Sequence, residues 1–241
     1  PYTFLETREK VNISWNIENG TVSYQQMKRW KFLPSLTNGS LEDIIVHLNV
    51  PLVATVNEAK QHNENDRIAI LETVNVVVDD SRVTLFPHHT VRELFFDGYS
   101  DEFLQLAKSL GKKDVPDRFG LLYEKNNSAS DGIFRIFGGE AETMHKLGLL
   151  DAWNNQKKLS VWNHSNCDRI DQSTPGDLRP PFSVPKQRKV ELFVSDFCRS
   201  IPLTLLNEIR YNDLKLDRFW VSNDVFNYSH KDNKCYCYNQ K

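Results

Sequence analysis

The first fifty residues contain short stretches in which apolar and polar positions alternate, the pattern of strands with one buried face. Residues 11–15 read Val-Asn-Ile-Ser-Trp, and residues 21–24 continue the pattern after the turn at residues 18–20. Two further short apolar segments follow at residues 30–33 and 44–46. The pattern predicts a β-meander, in which consecutive strands pair through short turns.

Between residues 56 and 78 the apolar period changes from that of a strand to that of a helix. A polar run at residues 61–66 is followed by apolar side chains three or four positions apart, which share one helical face. These side chains are Ile68, Leu71, Val74 and Val78. The spacing predicts a helix in the middle of this stretch.

A second helical segment is predicted from Thr90 onward by a capping motif. Thr90 is a favoured N-cap residue, and Glu93 stands at the position that completes a capping box. The apolar residues that follow on one side are Leu94, Phe95, Tyr99 and Phe103. Because Gly98 interrupts the segment, we expect two short helices here.

Strand patterns return after residue 118. The predicted strands are residues 119–123, 133–137, 159–162 and 190–194, the second preceded by an Asp131-Gly132 turn. The proline-rich residues 171–189 are expected to form a long loop. The order of patterns predicts an α+β domain, in which residues 56–115 form a helical insertion on a mainly antiparallel sheet built from residues 1–55 and 116–241.

The bulk composition excludes several classes of partner. The 241 residues carry 30 Lys and Arg against 32 Asp and Glu, for a net charge of −2, so no overall field favours nucleic acid or an anionic bilayer. No apolar run approaches the ~20 residues that span a bilayer. The first residues, Pro-Tyr-Thr-Phe, are neither an initiator Met nor a signal peptide, so we expect a piece of a longer protein.

Six Asn-x-Ser/Thr sequons indicate the secretory pathway, where N-glycosylation takes place. Two of them, at Asn19 and Asn38, precede glycine in turn-like sequences that would present the amide at the surface. The six acceptors are Asn12, Asn19, Asn38, Asn126, Asn163 and Asn227. The alternative is a cytosolic protein that is merely rich in Asn.

All four cysteines, Cys167, Cys198, Cys235 and Cys237, lie in the C-terminal third of the chain. They allow three pairings, and a Cys235–Cys237 bridge would close a small, strained ring. Each of these two cysteines therefore pairs backward or with a partner beyond Lys241. A zinc site is the alternative, but a Cys-x-Cys pair lacks the usual longer spacer. Clustered cysteines and sequons together favour an oxidising compartment.

The sequence contains none of the catalytic or cofactor motifs that we considered. It has no Gly-x-Ser-x-Gly elbow, no His-Glu-x-x-His motif and no glycine-rich phosphate loop. Asp and Glu are numerous, so spacing alone leaves a glycosidase carboxylate pair open. We expect a binding protein without catalytic residues, cofactor or metal.

The helical insertion carries the candidate recognition residues. Its cationic or titratable side chains would attract a carboxylate or phosphate group of a ligand. They are Arg67, Arg82, His88, His89 and Arg92. The alternative is an ordinary solvated helix face. His88 and His89 form either a candidate pH switch, because imidazole titrates near pH ~6.5, or a polar loop.

The order of motifs along the whole chain resembles the class B scavenger receptors. The motifs include Arg-Glu-Lys-Val-Asn-Ile, Thr-Val-Arg-Glu-Leu, Phe-Gly-Leu-Leu-Tyr-Glu-Lys-Asn and Ser-Asp-Phe-Cys-Arg-Ser. In sequence numbers the matching blocks are residues 1–4, 8–13, 19–23, 48–51, 90–94, 119–126, 130–132, 153–162, 180–182 and 195–200. Members of this family have two membrane-spanning ends and one large ectodomain, and this chain is similar to roughly its first two-thirds.

The resemblance implies an antiparallel β-barrel with a helical bundle at its apex and an apolar tunnel inside. It also implies a Cys167–Cys235 disulfide, with Cys198 and Cys237 paired to cysteines beyond Lys241. A set of apolar residues would either face the tunnel or pack in the core: Phe32, Leu48, Leu52, Phe119, Leu121, Ile133, Phe137 and Trp162.

The chain departs from the family at a position near the apex. Asp80 stands where some members carry a lysine associated with anionic ligands, whereas Arg82 keeps a second basic position. This departure disfavours binding of modified lipoproteins but leaves lipid conduction, which depends on an apolar lumen, unaffected.

The function that the resemblance implies is that of a membrane-anchored receptor in the plasma or lysosomal membrane. It would bind a fatty acid, sterol, carotenoid or lipoprotein ligand and pass lipid through the tunnel toward the bilayer. A first alternative is a lysosomal receptor that binds a lumenal protein through the same helices and releases it when the pH changes. A second alternative is a secreted glycosidase.

Overall fold

The computed structural model describes residues 1–60, 62–81, 83–109, 115–140, 142–162, 166–180 and 188–237. Its fold is α+β, which confirms the class predicted from the sequence. The strands are β1 (Phe4–Asn16), β2 (Thr21–Phe32), β3 (Ile44–Val46), β4 (His88–Thr90), β5 (Phe134–Phe137), β6 (Leu150–Trp153), β7 (Ser173–Thr174), β8 (Lys189–Val194), β9 (Arg199–Tyr211) and β10 (Leu214–Val221). The α-helices are α1 (Val50–Ala59), α2 (Glu64–Ser81) and α3 (Glu102–Ser109), and a π-helical turn covers Glu93–Asp97.

The described strands form three separate sheets. Their orders are β1-β2-β5-β6, β10-β9-β8-β7 and β3-β4. The pairing is antiparallel except between β7 and β8. A barrel closes only when its first and last strands pair, and no described strands do so. The barrel that the resemblance implies is therefore not formed by the described part of the chain.

The residues divide into two compact units. We call one the helical unit, which comprises Pro1–Arg8 and Lys28–Ser128, and the other the sheet unit, which comprises Glu9–Met27 and Ala129–Lys241. The helical unit contains α1, α2, α3 and the β3–β4 ribbon. The sheet unit contains β5 to β10.

The core of the helical unit lies between its three helices. Leu52 of α1, Val74 of α2 and Phe103 of α3 are buried together. Partly buried side chains that pack against them are Val56, Ile70, Val77, Val78, Val83 and Leu106. Each helix thus buries one apolar face, and each fully buried large side chain contributes about 1.5–3 kcal/mol.

The predicted helix at residues 56–78 is divided in the structure between α1 and α2. Asn63 caps α2, because its Oδ1 accepts a hydrogen bond from the Asp66 amide at 3.0 Å. Val74 of the predicted apolar face is buried, whereas Ile68 is 45% exposed. The predicted helix is confirmed as α2, and Ile68 lies at the exposed end of its apolar face.

The core of the sheet unit forms where β2 pairs with β5 in antiparallel register from Thr21↔Phe137 to Tyr24↔Phe134. The buried members of this core are Val22, Tyr24, Phe134, Ile136, Leu150, Leu159, Ile170 and Phe193. Trp153, Trp162 and Cys198 pack against them. The strands predicted at residues 133–137 and 190–194 are confirmed as β5 and β8.

The strand predicted at residues 119–123 is absent from the structure. Phe119 makes a single bridge to Tyr99, and the chain then turns. The reason is that the amide of Leu121 donates to the carbonyl of Leu94 at 2.8 Å, so the segment bonds to the helical turn and not to a strand.

The strand predicted at residues 159–162 is also wrong. The Leu159 amide donates to the carbonyl of Asp168 at 2.8 Å, and the Trp162 amide donates to the carboxylate of the same residue at 3.0 Å. Asp168 thus holds this segment in a folded loop against residues 166–169, where no ladder of strand hydrogen bonds develops.

The β9–β10 hairpin is not among the predicted strands. Its tip residues, Asn212 and Asp213, have φ angles of 46° and 63°, as a two-residue type I′ turn requires. The register shifts between Arg218 and Phe219 and leaves Leu206 of β9 without a partner, which marks a bulge in β9. This hairpin and β8 make up most of the second sheet.

Candidate functional site

An apolar cavity of about 530 Å³ lies along α1 in the helical unit. Its floor includes Leu52, and its rim includes Lys60. The described residues that line it are Leu48, Val50, Leu52, Val53, Ala54, Val56, Asn57, Lys60 and Leu85. We call it the α1 cavity. A volume of this size lies within the range of pockets that hold small hydrophobic molecules.

The start of α1 is fixed by Asn49, and this fixes the mouth of the α1 cavity. Asn49 Oδ1 accepts a hydrogen bond from the Leu52 amide at 3.0 Å, which caps the helix. The Asn49 amide donates to the carbonyl of Leu85 at 2.9 Å. Leu85 and Leu48, on the two segments joined in this way, are each 43% exposed, so apolar surface faces solvent at the mouth.

A second cavity of about 360 Å³ lies between the three helices. Phe103, which is only 2% exposed, forms its base. Near its polar edge, His62 Nε2 lies 3.9 Å from a carboxylate oxygen of Glu58. Among the described residues, its lining is Thr55, Glu58, His62, Ala69, Ile70, Thr73, Phe103, Leu106 and Ala107. We call it the interhelical cavity.

A cluster of two histidines and a tyrosine is built on the β3–β4 ribbon. The pairing of Ile45 with His89 brings His47 beside His89, and His47 Nε2 lies 2.9 Å from His89 Nδ1. The His89 ring stacks on the ring of Tyr99 with centroids 3.8 Å apart. We call these three residues the histidine cluster.

The electrostatics of the histidine cluster disfavour a proton on His89. Burial lowers the pKa of His89, and the neighbouring His47 lowers it further, while Glu93 and Asp101 oppose the shift. Burial also raises the pKa of Tyr99, whose hydroxyl has no hydrogen-bond partner among the described residues. The cluster therefore combines a titratable pair with an unsatisfied buried hydroxyl.

The predicted cationic residues lie apart and are largely neutralised by local partners. Arg67 pairs with Glu64 one helical turn earlier at 2.6 Å, and Arg92 pairs with Glu42 at 2.7 Å. His88 is exposed on β4, and only its neighbour His89 joins the cluster described above. Arg82 lies outside the described residues.

All of the sequon asparagines that the structure describes are exposed. They are Asn12, Asn19, Asn38, Asn126 and Asn227. Asn12 Nδ2 donates to Gln25 at 2.8 Å, and Asn227 Oδ1 accepts from the Ser229 amide at 3.1 Å. Asn163 lies outside the described residues. Exposure on turns and edges is what a glycosyltransferase requires.

The structure joins Cys167 and Cys235 in a disulfide, with Cα atoms 6.1 Å apart. This is the pair that the resemblance implies. Cys198 and Cys237 are free thiols and are partly buried. Burial raises the pKa of the Cys198 thiol, and Asp196 adds to the shift. In the described residues no group of three or more His, Cys, Asp or Glu side chains converges as metal ligands do.

Of the apolar residues named as tunnel or core candidates, Leu48 and Leu52 line the α1 cavity. Trp162 packs against the core of the sheet unit instead, whereas Leu121 and Ile133 are 44% and 39% exposed. Sequence reasoning missed the other lining residues and the partner of His89. The apolar start of α1 at residues 50–56 was the one local signal for the α1 cavity.

The fold and these sites define a disulfide-bonded α+β protein with solvent-facing apolar cavities in a helical unit. The chain belongs to the CD36 family, whose sequence profile matches residues 1–241. No helix in the described parts of the chain is long and apolar enough to cross a bilayer.

Similar curated proteins include a scavenger receptor and a lysosomal membrane protein. Scavenger receptor class B member 1 of Rattus norvegicus is 30% identical over 228 residues, which cover 94% of this chain and 43% of the relative. Lysosome membrane protein 2 of Rattus norvegicus is 30% identical over 93% of this chain and 45% of the relative. Lysosome membrane protein 2 of Homo sapiens is 29% identical over 98% of this chain and 47% of the relative. The chain thus spans less than half the length of these relatives.

Proposed function

We propose that this chain is part of the ectodomain of a membrane-anchored class B scavenger receptor that binds lipid or lipoprotein-type ligands. The α1 cavity is the observation that carries the proposal. An acyl chain gains about 0.8 kcal/mol for each methylene that it buries, so a cavity of about 530 Å³ with an apolar lining suits such a ligand. Lys60 on its rim is suited to a carboxylate or phosphate head.

The rest of the proposal concerns the whole protein. The helical unit would form the apex of the ectodomain, and lipid entering there would pass through an apolar tunnel completed by strands of the full-length protein. The membrane would be the plasma membrane or the lysosomal membrane, in keeping with the names of the two kinds of relative. Oligosaccharides would occupy the exposed sequons on the lumenal or extracellular side.

A second candidate function is supported by the histidine cluster. A receptor in an acidic lumen would bind a protein through the helical unit and release it when His89, which lies 2.9 Å from His47, becomes protonated. One kind of relative is named as a lysosomal membrane protein. The glycosidase alternative is disfavoured, because the relatives are named as a receptor and a membrane protein and the family is not one of enzymes.

The test is to fill the α1 cavity by substitution. Val53 lines the cavity and Val76 of α2 lines neither cavity, although both are exposed. In the full-length protein from a glycosylating host, Val53→Trp should weaken binding of a fluorescent fatty acid at least roughly tenfold, because the indole occupies the site. Val76→Trp is the matched control and should bind like the wild type. Equal binding by both variants would overturn the assignment of the ligand to this cavity.

A further inference from the structure

Arg199 is buried in the sheet unit with a guanidinium that is aimed at one short segment. It is 4% exposed, and one terminal nitrogen donates to the carbonyl of Val225 and to Asn233 Oδ1, each at 2.8 Å. Its Nε has no hydrogen-bond partner in the described part of the chain. Asn233 in turn donates to the carbonyl of Asp224 at 2.7 Å. A buried cation with these contacts orders the loop that precedes Cys235.

Tyr236, the residue between Cys235 and Cys237, is held on two sides. The Arg199 guanidinium lies 3.8 Å from the centre of its ring, a cation–π contact. The Trp162 ring meets the same ring edge-on at 5.1 Å. Trp162 is itself anchored, because its Nε1 donates to the carbonyl of Cys198 at 2.7 Å. We call Tyr236, Arg199 and Trp162 the tyrosine clamp.

The thiols near Cys167 present a choice of partner. Cys237 follows Cys235 by two residues, so their Cα atoms are separated by no more than ~7 Å. A modest rotation of the segment would bring either sulfur to Cys167, which is 2% exposed and fixed in the core. Cys198 is turned toward its own loop, where its Sγ donates to the carbonyl of Ser195 at 3.5 Å.

The chemistry of disulfide formation determines which cysteine pairs with Cys167. One protein thiolate attacks an external disulfide such as oxidised glutathione and releases one glutathione thiolate. A second protein thiolate then attacks the mixed disulfide and releases the other. The two protein thiols together lose two electrons and two protons, and the oxidant takes them up as two reduced glutathiones. The thiolate nearest to the mixed disulfide at that moment decides the pairing.

We propose that the tyrosine clamp selects Cys235 over Cys237 as the disulfide partner of Cys167. Arg199 and Trp162 act as positioning residues, because they fix the Tyr236 ring and thereby the direction in which each flanking sulfur points. With the ring held, Cys235 faces Cys167 and Cys237 is kept for another partner. This role does not depend on the ligand and stands apart from the proposed receptor function.

The test maps disulfides in the full-length protein made in a glycosylating host. Cells are lysed in a denaturant that contains the alkylating reagent, so that buried free thiols also react, and fragment-ion mass spectrometry of unreduced peptides assigns the sulfur that is linked to Cys167. Tyr236→Leu removes the ring, and the Cys167–Cys237 peptide should rise at least roughly fivefold relative to the wild type. Tyr236→Phe keeps the ring and should pair like the wild type. Arg199→Met should resemble Tyr236→Leu.

A protein that fails to leave the cell is analysed in the same way from the retained pool, so the readout does not depend on secretion. A second comparison uses the background Cys235→Ser. With the clamp intact Cys167 should be recovered mainly as an alkylated thiol, and adding Tyr236→Leu should let it pair with Cys237. Unchanged pairing in Tyr236→Leu, or equal Cys167–Cys237 linkage in both Cys235→Ser proteins, would overturn the proposal.

Discussion

Thr90 and Glu93 show how two side chains set the boundary between the β3–β4 ribbon and the helical turn. Thr90 Oγ1 accepts a hydrogen bond from the Glu93 amide at 3.1 Å, and Glu93 Oε2 accepts from the Thr90 amide at 2.9 Å. These bonds complete the capping box that the sequence predicts. The hydrogen bonds from Thr90 also hold the pKa of Glu93 below its usual value.

Removing the cap should destabilise the helical unit. Thr90→Ala deletes the oxygen that the Glu93 amide bonds, and we expect the free energy of unfolding to fall by about 1 kcal/mol. Chemical denaturation of the full-length ectodomain measures the change. Thr90→Ser keeps the oxygen, so its free energy of unfolding should fall by much less than that of Thr90→Ala. A Thr90→Ala protein as stable as Thr90→Ser would show that the capping box contributes nothing.

Some side-chain contacts could be predicted from the spacing of residues in the sequence, and others could not. The capping box was predictable because its members are three residues apart. The His47–His89 contact joins residues 42 apart in the sequence, and only the pairing of β3 with β4 brings them together. The adjacent pair in the sequence, His88 and His89, is separated by the alternation of the strand, which sends neighbours to opposite faces.

The short helices and strands depend most on the segments that surround them in the fold. Helix α2 was predictable because its apolar side chains recur three or four residues apart, whereas α1 was not predicted over most of its length. The division before α2 depends on a single cap at Asn63. The strands predicted at residues 119–123 and 159–162 do not form, because the backbone amides of these segments donate to a helical turn or to Asp168 and not to a neighbouring strand. The β9–β10 hairpin carries its own local signal in Asn212 and Asp213, two residues that tolerate the positive φ angles of its turn.

The β3–β4 ribbon should respond to acid through His89. Its pKa is lower in the folded protein than the unfolded value of about 6.5. The unfolded chain therefore binds a proton first, so stability is lost as the pH falls from about 6.5 through the folded pKa. His47, His88, Glu93 and Asp101 are the charged or titratable groups that act on His89.

We expect His89→Asn to flatten this dependence. Between pH values of about 7.5 and 5, the Tm of the wild type should fall further than that of His89→Asn, as measured by scanning calorimetry of the full-length ectodomain. His145→Asn is the matched control and should keep the wild-type pH dependence, because His145 is exposed and is not among the groups that act on His89. If the Tm of His89→Asn falls as far as that of the wild type over this pH range, His89 is not the group that causes the acid sensitivity.

For the whole molecule, the sequence predicted the α+β class and, through its motifs, the family, whereas the closed barrel that the resemblance implies stays a prediction. A barrel closes only when its first and last strands pair, and this chain spans less than half the length of its curated relatives. The α1 cavity was likewise out of reach, because its lining combines α1 with Leu85, which is distant in sequence. Cavities arise from packing between elements, and a local pattern contains no record of that packing.

The central claim is that the protein holds a hydrophobic ligand, and native mass spectrometry of the full-length ectodomain from a glycosylating host tests it most directly. The account predicts bound fatty acid, sterol or carotenoid in the purified protein, or uptake of these lipids when they are added, and loss of that mass in Val53→Trp. A wild-type protein that carries no lipid and takes up none on addition would contradict the account.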